Sequence, residues 1–215
     1  MSRLELVAAS RHVERAREVA ESLHGALLCD ERDVEGLPFR ALVAAVTDDL
    51  ESLLPAADVG AYLACRRVIK RRAATAVSGS PAGGPSAGMA AAPAAGMRLP
   101  GATALYPMVR RRDLTHQEAD RHWRDRHAPL ALRHHPAMSH YDQLSVVHRL
   151  HGPEWDGFAL CGFDSIDDLE HRFFADEEAR RVIRHDVSLF ADGERSPRRL
   201  IAIATSFGHL LDDRG

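Results

Sequence analysis

The sequence is poor in cysteine and lysine and has no long apolar run. Its three cysteines lie far apart and form no Cys-x-x-Cys pair, which argues against a disulfide framework and against a thiolate zinc site. The N-terminal segment turns charged after a few apolar residues, unlike a signal peptide, and no run approaches the roughly 18–20 apolar residues that span a bilayer. We therefore expect a cytoplasmic protein that does not enter a membrane.

The sequence also lacks the common motifs of nucleotide binding. It contains no phosphate-binding glycine-rich loop, nucleophile elbow or dinucleotide fingerprint. A basic cluster, RRVIKRR, occupies residues 66–72, but no aromatic residue interrupts it and the net charge of the chain is −3. We interpret this cluster as a solvated strand end and expect no nucleic-acid partner.

One segment divides the chain into two parts. Residues 74–101 contain no acidic residue and almost no large apolar one, and they are rich in Ala, Gly, Pro and Ser. Such a composition cannot bury enough surface to offset the entropy of ordering, which predicts a linker. A flexible coil of this length has an end-to-end distance of roughly 30 Å, so that residues 1–73 and 102–215 can pack side by side.

The same order of elements is predicted on both sides of the linker. After it we expect helices over 115–133 and 166–190, and strands at 103–111, 138–148, 157–164 and 198–206. Before it we expect helices over 11–25 and 48–58, and strands at 3–10, 25–33, 39–47 and 61–71. Each half is then a β-α-β-β-α-β unit of class α+β, the ferredoxin-like arrangement. Helices cover one face of such a sheet, so we expect the halves to pack sheet to sheet and to enclose a hollow.

Residues 104–205 resemble a known family. The helix LTHQEADRHWRDRHAPL is followed by a strand beginning HYDQ, by DGFALCGFDS and by a closing RRLIAIA. The pattern H-W-R-x-x-H-A-P-L, then a Tyr-containing strand, then D-G, is similar to that of the EthD family of dimeric α+β barrels. The first half has the element order without the motif and looks like a degenerate second copy. The resemblance implies an intrachain dimeric α+β barrel, either a monomeric pseudo-dimer or part of a homodimer.

The resemblance implies a protein that handles small molecules and leaves the reaction open. Some relatives are cofactor-free cyclases, dehydratases or isomerases of polyketide-type pathways, and other branches of the superfamily bind heme. Our hypothesis is a cofactor-independent enzyme that acts on a small aromatic or polyketide-like compound. The alternatives are a heme-binding protein and a non-catalytic small-molecule binding or accessory protein.

Histidine is the residue type on which this hypothesis depends. An imidazole with a pKa of about 6.5 can remove a proton and return it at neutral pH. His127 lies four residues beyond Trp123, beside the apolar stripe of the helix and at a marked motif position, so we predict that it is the general acid or base. It could instead only cap the helix end. Trp123 is predicted to be a packing anchor near the ligand, and His122 to border the site.

Two further strands supply the other predicted site residues. Tyr141 and Gln143 share one face of their strand, where Tyr141 would polarise a carbonyl oxygen, but the sequence leaves open whether that face meets the helices. Tyr106 and Arg110 share a face of the strand at 103–111, and Arg110 could receive a carboxylate or an enolate. Asp156 matches the D-G position of the family, although a turn residue is its default role.

The histidines do not predict a metal site. His122 and His127 are five residues apart, about 140° out of phase on an α-helix. His134 and His135 follow the helix and are expected to be solvated. Eleven of the thirteen histidines lie after residue 115, so we expect the second half to hold the working site and the first half to act as its wall.

Overall fold

The computed structural model describes residues 2–72 and 96–208 of the chain. Most of the predicted linker, up to residue 95, lies outside these ranges. The described end of that segment contains a two-residue strand that pairs with the last strand of the chain.

The elements follow the predicted order in both halves. The strands are β1 (Ser2–Ser10), β2 (Ala26–Cys29), β3 (Ala41–Ala45), β4 (Gly60–Lys70), β5 (Met97–Arg98), β6 (Ala102–Met108), β7 (Met138–His151), β8 (Gly157–Phe163) and β9 (Leu200–Ser206). The helices are α1 (Val13–Ser22), α2 (Leu50–Leu53), α3 (His116–His122), α4 (Ala128–His134), α5 (Ile166–His171) and α6 (Glu177–Ser188). A π-helical turn, Trp123–His127, joins α3 to α4.

Eight antiparallel strands close into one barrel. In each half the strand order across the sheet is second, third, first, fourth. The halves meet at two seams, where β4 pairs with β7 and β2 pairs with β9. The last strand of each half thus pairs with the second strand of the other, and β5 adds to the edge of β9. The mixed α+β class and the closed barrel are confirmed.

The interior of the barrel is packed rather than hollow. Successive side chains of a strand point to opposite faces, and one face of every barrel strand contributes to an apolar interior cluster. At its centre the rings of Phe39, Tyr62, Trp155 and Phe158 pack with centroids 5.3–6.4 Å apart. The expectation of a hollow between the sheets is wrong, because these large side chains fill the space.

Further along β4 the interior holds a buried ion-pair network. Arg66 is 2% exposed, and it donates from Nε to Glu5 Oε1 over 2.7 Å and from Nη1 to Asp142 Oδ2 over 2.6 Å. Arg67, on the opposite face of the strand, is also buried. The prediction that residues 66–72 form a solvated strand end is therefore wrong for these two arginines, because their part of β4 lies at the seam with β7.

The helices of the second half begin at capping residues that the sequence supplies. Thr115 and Glu118 form a capping box at α3, and Ser165 accepts from the Asp168 amide at the start of α5. The single helix expected over 166–190 is wrong. It is broken at residues 172–176, and Asp176 caps α6 by accepting from the Ala179 amide over 2.7 Å. No helix within the described ranges is long and apolar enough to cross a membrane.

Candidate functional site

The predicted site residues on β7 lie outside the barrel, beneath the helices. Tyr141 belongs to an apolar cluster with α4, and Gln143 bonds to the backbone of the π-helical turn. Asp142 and Leu144, on the other face, point into the barrel. The site must therefore be sought between the second-half sheet and its helices.

The π-helical turn determines which histidines share a face. The Ala128 amide donates to the Trp123 carbonyl five residues earlier. Pro129 lacks an N–H, and its ring disfavours a regular α-helical turn before it. A turn widened to five residues brings positions five apart onto one side, and such turns are frequent at functional sites. The prediction that His122 and His127 point in different directions is wrong for this reason.

One carboxylate joins these two imidazoles. Asp186 on α6 accepts from His127 Nδ1 at Oδ2 and from His122 Nε2 at Oδ1, each over 2.8 Å. Burial works against ionisation of Asp186, but the bonds from His127 and His122 outweigh it and hold the pKa of this carboxyl below its ordinary value. An ionised carboxylate only accepts, so His127 carries its proton on Nδ1 and has the lone pair on Nε2 when neutral.

An aromatic ring fixes the orientation of both imidazoles. Phe190, which is 2% exposed, stacks on His122 with centroids 5.1 Å apart and an interplanar angle of 24°. It also packs against His127 at 5.3 Å. The carboxylate and this ring together hold His127 in one orientation, which a proton-transferring group requires.

At the start of the same π-helical turn, Trp123 anchors a second polar group. The indole is 2% exposed, as predicted for a packing anchor, and a Cβ on Gly157 would lie 2.6 Å from its ring. Trp123 Nε1 donates to Tyr141 Oη over 3.1 Å, and Gln143 Nε2 donates to the same oxygen over 3.0 Å. Burial raises the pKa of Tyr141 well above its ordinary value, so the hydroxyl stays protonated at neutral pH. Both bonds use the oxygen as acceptor, which leaves the O–H able to donate.

The helices leave a gap over the centre of the second-half sheet. Ala159 on β8 lies between Tyr106 on β6 and Gln143 on β7. Although it sits on a central strand, Ala159 is only half-buried, and it packs against two separate apolar clusters, one with Tyr141 and one with Trp123. Solvent therefore reaches the sheet beside Gln143.

Tyr106 borders this gap on the other side. Its hydroxyl accepts from Arg199 Nη1 over 2.8 Å, and the guanidinium lies over its ring at 5.8 Å from the centroid. Burial raises the pKa of Tyr106 to about 12. Tyr106 is thus a neutral, fixed wall of the gap.

Arg110 and Asp156 lie apart from these residues, in an open cleft of about 230 Å³ at one end of the barrel. Asp156 Oδ1 accepts from Arg110 Nη1 over 2.8 Å and from His116 Nδ1 over 3.1 Å. Burial opposes the charge of Asp156, but these bonds hold its pKa below the ordinary value. The predicted site residues therefore form two groups rather than one.

Two residues that the sequence reasoning missed belong to the first group. Asp186 occupies a buried position of α6 together with Ala179 and Ile183, so a carboxylate on an apolar stripe was the available signal. Arg67 was hidden in the basic cluster assigned to solvent. His135 also departs from expectation: it is buried, its Nδ1 bonds to the Phe173 carbonyl over 2.7 Å, and burial lowers its pKa to about 4. No group of three or more His, Cys, Asp or Glu side chains in the described parts of the chain could hold a metal ion.

Comparison with known proteins agrees with this architecture. Residues 111–194 match the EthD family, described as the EthD domain, so the second half of the chain carries an EthD domain. The chain is similar to the crystal structure of an anthrone oxidase-like protein, with 14% identity, a TM-score of 0.51, and coverage of 96% of this chain and 93% of that one. It is also similar to a candidate monooxygenase from Lactobacillus acidophilus NCFM, with 5% identity, a TM-score of 0.45, and coverage of 96% and 97%. No curated protein matches the sequence.

Proposed function

We propose that this protein is an enzyme that removes and returns a proton next to the carbonyl group of a small aromatic compound. The observation that carries the proposal is the 2.8 Å bond between His127 Nδ1 and Asp186 Oδ2. A carboxylate on Nδ1 fixes the tautomer and stabilises the imidazolium that forms when Nε2 takes a proton. His127 is the acid and base of this proposal, and Asp186 is its positioning residue.

Tyr141 supplies the second element of the mechanism. As a proton leaves the carbon next to a carbonyl, negative charge develops on the carbonyl oxygen, and a buried donor already in place stabilises it. Tyr141 O–H is such a donor, because Trp123 and Gln143 occupy the acceptor side of its oxygen. His122 shares Asp186 with His127 and keeps the carboxylate between the two helices.

The proposal covers the first step that several reactions share. Cyclase, dehydratase and isomerase reactions next to a carbonyl all begin with loss of a proton and end with its return. One solved neighbour is described as an anthrone oxidase-like protein, and anthrone is an aromatic ketone, which is the class of compound we choose as a probe. We also propose that the two halves are ferredoxin-like units, since the strand order of the first half repeats in the second.

Heme is the cofactor that the wider superfamily brings into consideration, and the residues present do not fit it. An axial histidine needs a flat slot beside its free nitrogen for the macrocycle. Here one side of the His127 ring packs against the buried Phe190, and its Nδ1 bonds to Asp186 on the adjacent helix, so side chains rather than a slot of porphyrin size surround the imidazole. We therefore derive no chemistry from heme. A Soret band that shifts when hemin is titrated into the protein would contradict this conclusion.

The test follows hydrogen–deuterium exchange at the methyl group of 3-hydroxyacetophenone in D₂O by proton NMR. The wild-type protein is expected to speed the exchange, and His127→Ala to lose at least tenfold of that rate while its circular dichroism stays unchanged. His148→Ala is the matched control, because His148 is exposed at the far end of β7 and should leave the rate unaltered. Wild-type protein that binds the ketone without exchange would instead identify a non-catalytic binding protein.

A further inference from the structure

The first half contributes a side chain to the group around Trp123. β4 and β7 pair at the seam with Arg67 directly opposite Gln143, on the face that the second-half helices cover. The guanidinium of Arg67 lies over the indole of Trp123, 5.7 Å from the ring centroid. Its Nη1 and Nη2 bond to the two carboxylate oxygens of Asp120 over 2.8 and 2.6 Å. This bidentate ion pair fixes the plane of the guanidinium, and the Nε–H of Arg67 takes no part in it.

Three hydrogen-bonding groups on β4 and β7, next to Trp123, have no hydrogen-bond partner among the described residues. Arg67 Nε and Gln143 Oε1 are buried and have no partner among the described residues. The Tyr141 oxygen only accepts hydrogen bonds in this group, so its O–H also has no acceptor there. Buried polar groups in native proteins are nearly always satisfied, and each exception calls for an explanation. Two unmet donors and one unmet acceptor on directly neighbouring strands point to a polar ligand.

The electrostatics of the site agree with this reading. The positive charge of Arg67 acts on the Tyr141 hydroxyl and offsets part of the rise in its pKa that burial causes. The Arg67 guanidinium lies over the Trp123 indole, and Trp123 Nε1 bonds to Tyr141 Oη, so two donors, one of them charged, lie near one position where an oxygen could gain negative charge. The gap over Ala159, next to Gln143 on the sheet, provides the way in from solvent.

We propose that Arg67, Tyr141 and Gln143 together bind an enolisable aromatic ketone that carries a free hydroxyl group on its ring. Arg67 Nε–H and Tyr141 O–H donate to the carbonyl oxygen, and Gln143 Oε1 accepts from the hydroxyl. Arg67 and Gln143 are directly paired, and such residues have Cα atoms about 5 Å apart, so we choose a ligand whose two oxygens are separated by a similar distance. An ortho hydroxyl donates to the carbonyl oxygen of its own molecule and is not free to donate to Gln143. A meta hydroxyl is free to do so. The inference extends the proposed function by naming the substrate class, and it also requires the first half to form part of the site.

The test measures binding of 3-hydroxyacetophenone and of acetophenone, which lacks the hydroxyl, to the full chain by ligand-observed NMR titration. Wild-type protein should bind the hydroxy ketone at least tenfold more tightly than the parent ketone. Gln143→Met should reduce this preference to less than twofold. Arg67→Lys keeps a positive charge beside Asp120 but removes Nε, and it should weaken binding of both ketones at least tenfold. Arg15→Lys, at an exposed position of α1, is the matched control and should bind both as the wild type does.

The outcomes separate this inference from the proposed function. His127→Ala should retain both affinities and lose only the exchange reaction. Binding with the stated preference but without exchange in the wild type contradicts the proposed function and supports the inference. Exchange without any preference for the hydroxy ketone, equal affinities in Arg67→Lys and wild type, or no binding of either ketone overturns the inference. A thermal melt of each variant shows whether it is folded. If Arg67→Lys does not fold, the loss of preference for the hydroxy ketone in Gln143→Met is the result that tests the inference.

Discussion

His127 in the π-helical turn and Asp186 on α6 are joined by a 2.8 Å hydrogen bond from Nδ1 to Oδ2. The bond depends on two local features, a widened turn before Pro129 and a carboxylate on the buried stripe of α6. It orients His127, one of the two histidines that the motif marks, and it makes Asp186 as important to test as His127.

Replacing Asp186 with Asn should reduce the exchange rate at least tenfold, because an amide neither fixes the His127 tautomer nor stabilises the imidazolium. The pKa of Asp186 is held below its ordinary value, so its contribution to stability is present above about pH 4 and is lost as the pH falls through the lower folded-state pKa. Urea unfolding of wild type and variant at pH 7 and pH 3 measures this difference. Asp167→Asn, at an exposed side chain, is the control, and an equal gap in stability at both pH values would contradict the assignment.

Replacing Phe190 with Ala should destabilise the protein by about 3–5 kcal/mol, because a buried ring is lost and a cavity remains. The adjacent Leu189 is 41% exposed, so Leu189→Ala should cost far less. The same Phe190 variant should slow exchange beyond its effect on stability, since both imidazoles pack on this ring. Chemical denaturation and the exchange assay at 20 °C measure the two effects, and an unchanged exchange rate would show that Asp186 alone orients His127.

Acid should weaken the fold in a range set by the buried His135 and the half-buried His140. Burial lowers the pKa of His135 and His140 to about 4, and the nearby charge of Arg72 adds to the effect on His140. The unfolded chain binds protons at these sites below about pH 6.5, so stability falls as the pH drops from 6.5 to 4, by up to about 1.4 kcal/mol per pH unit for each residue. His140→Gln should flatten the curve of unfolding free energy against pH, and His148→Gln should not.

Replacing Arg66 with Met should cost about 3–5 kcal/mol, because Asp142 would lose its ion-pair partner inside the barrel and Glu5 would keep only Arg3. Arg15→Met, on the exposed side of α1, should change the free energy of unfolding by no more than about 0.5 kcal/mol. Guanidinium unfolding at pH 7 compares the two. A small effect of Arg66→Met would mean that water reaches this part of the barrel.

Periodicity and turn residues predict most of this fold. Alternation located the strands, the repeated element order predicted that the two halves pack together, and the resemblance to the EthD family implied the closed α+β barrel. The break at residues 172–176 was missed, because Phe173 and Phe174 continue the apolar pattern while Asp176 begins a new helix. Apolar periodicity indicates which residues are buried, and it does not indicate where one helix ends and a new capping residue begins the next.

The site was only partly predictable, for reasons of geometry. Hydrogen bonds join Trp123, Tyr141 and Gln143, and His127 lies on the same π-helical turn as Trp123. The phase predicted for His122 assumes 3.6 residues per turn, and the π-helical turn changes it. Arg67 was missed because its role depends on which strand lies beside β7. Pairing between distant strands is a property of the closed barrel, and no local pattern around residue 67 contains it.

The two seams of the barrel are of unequal length. β4 runs beside β7 from Ala61 to Lys70, whereas β2 meets β9 over only the four residues Ala26–Cys29. Opening the barrel between β2 and β9 exposes the edges of these two strands. The longer pairing of β4 with β7 stays, and with it the contact between Arg67 and the Trp123 indole. Such an opened form would present β2 and β9 to another molecule, so exchange of halves between chains would begin there and would carry the proposed ligand contacts along intact.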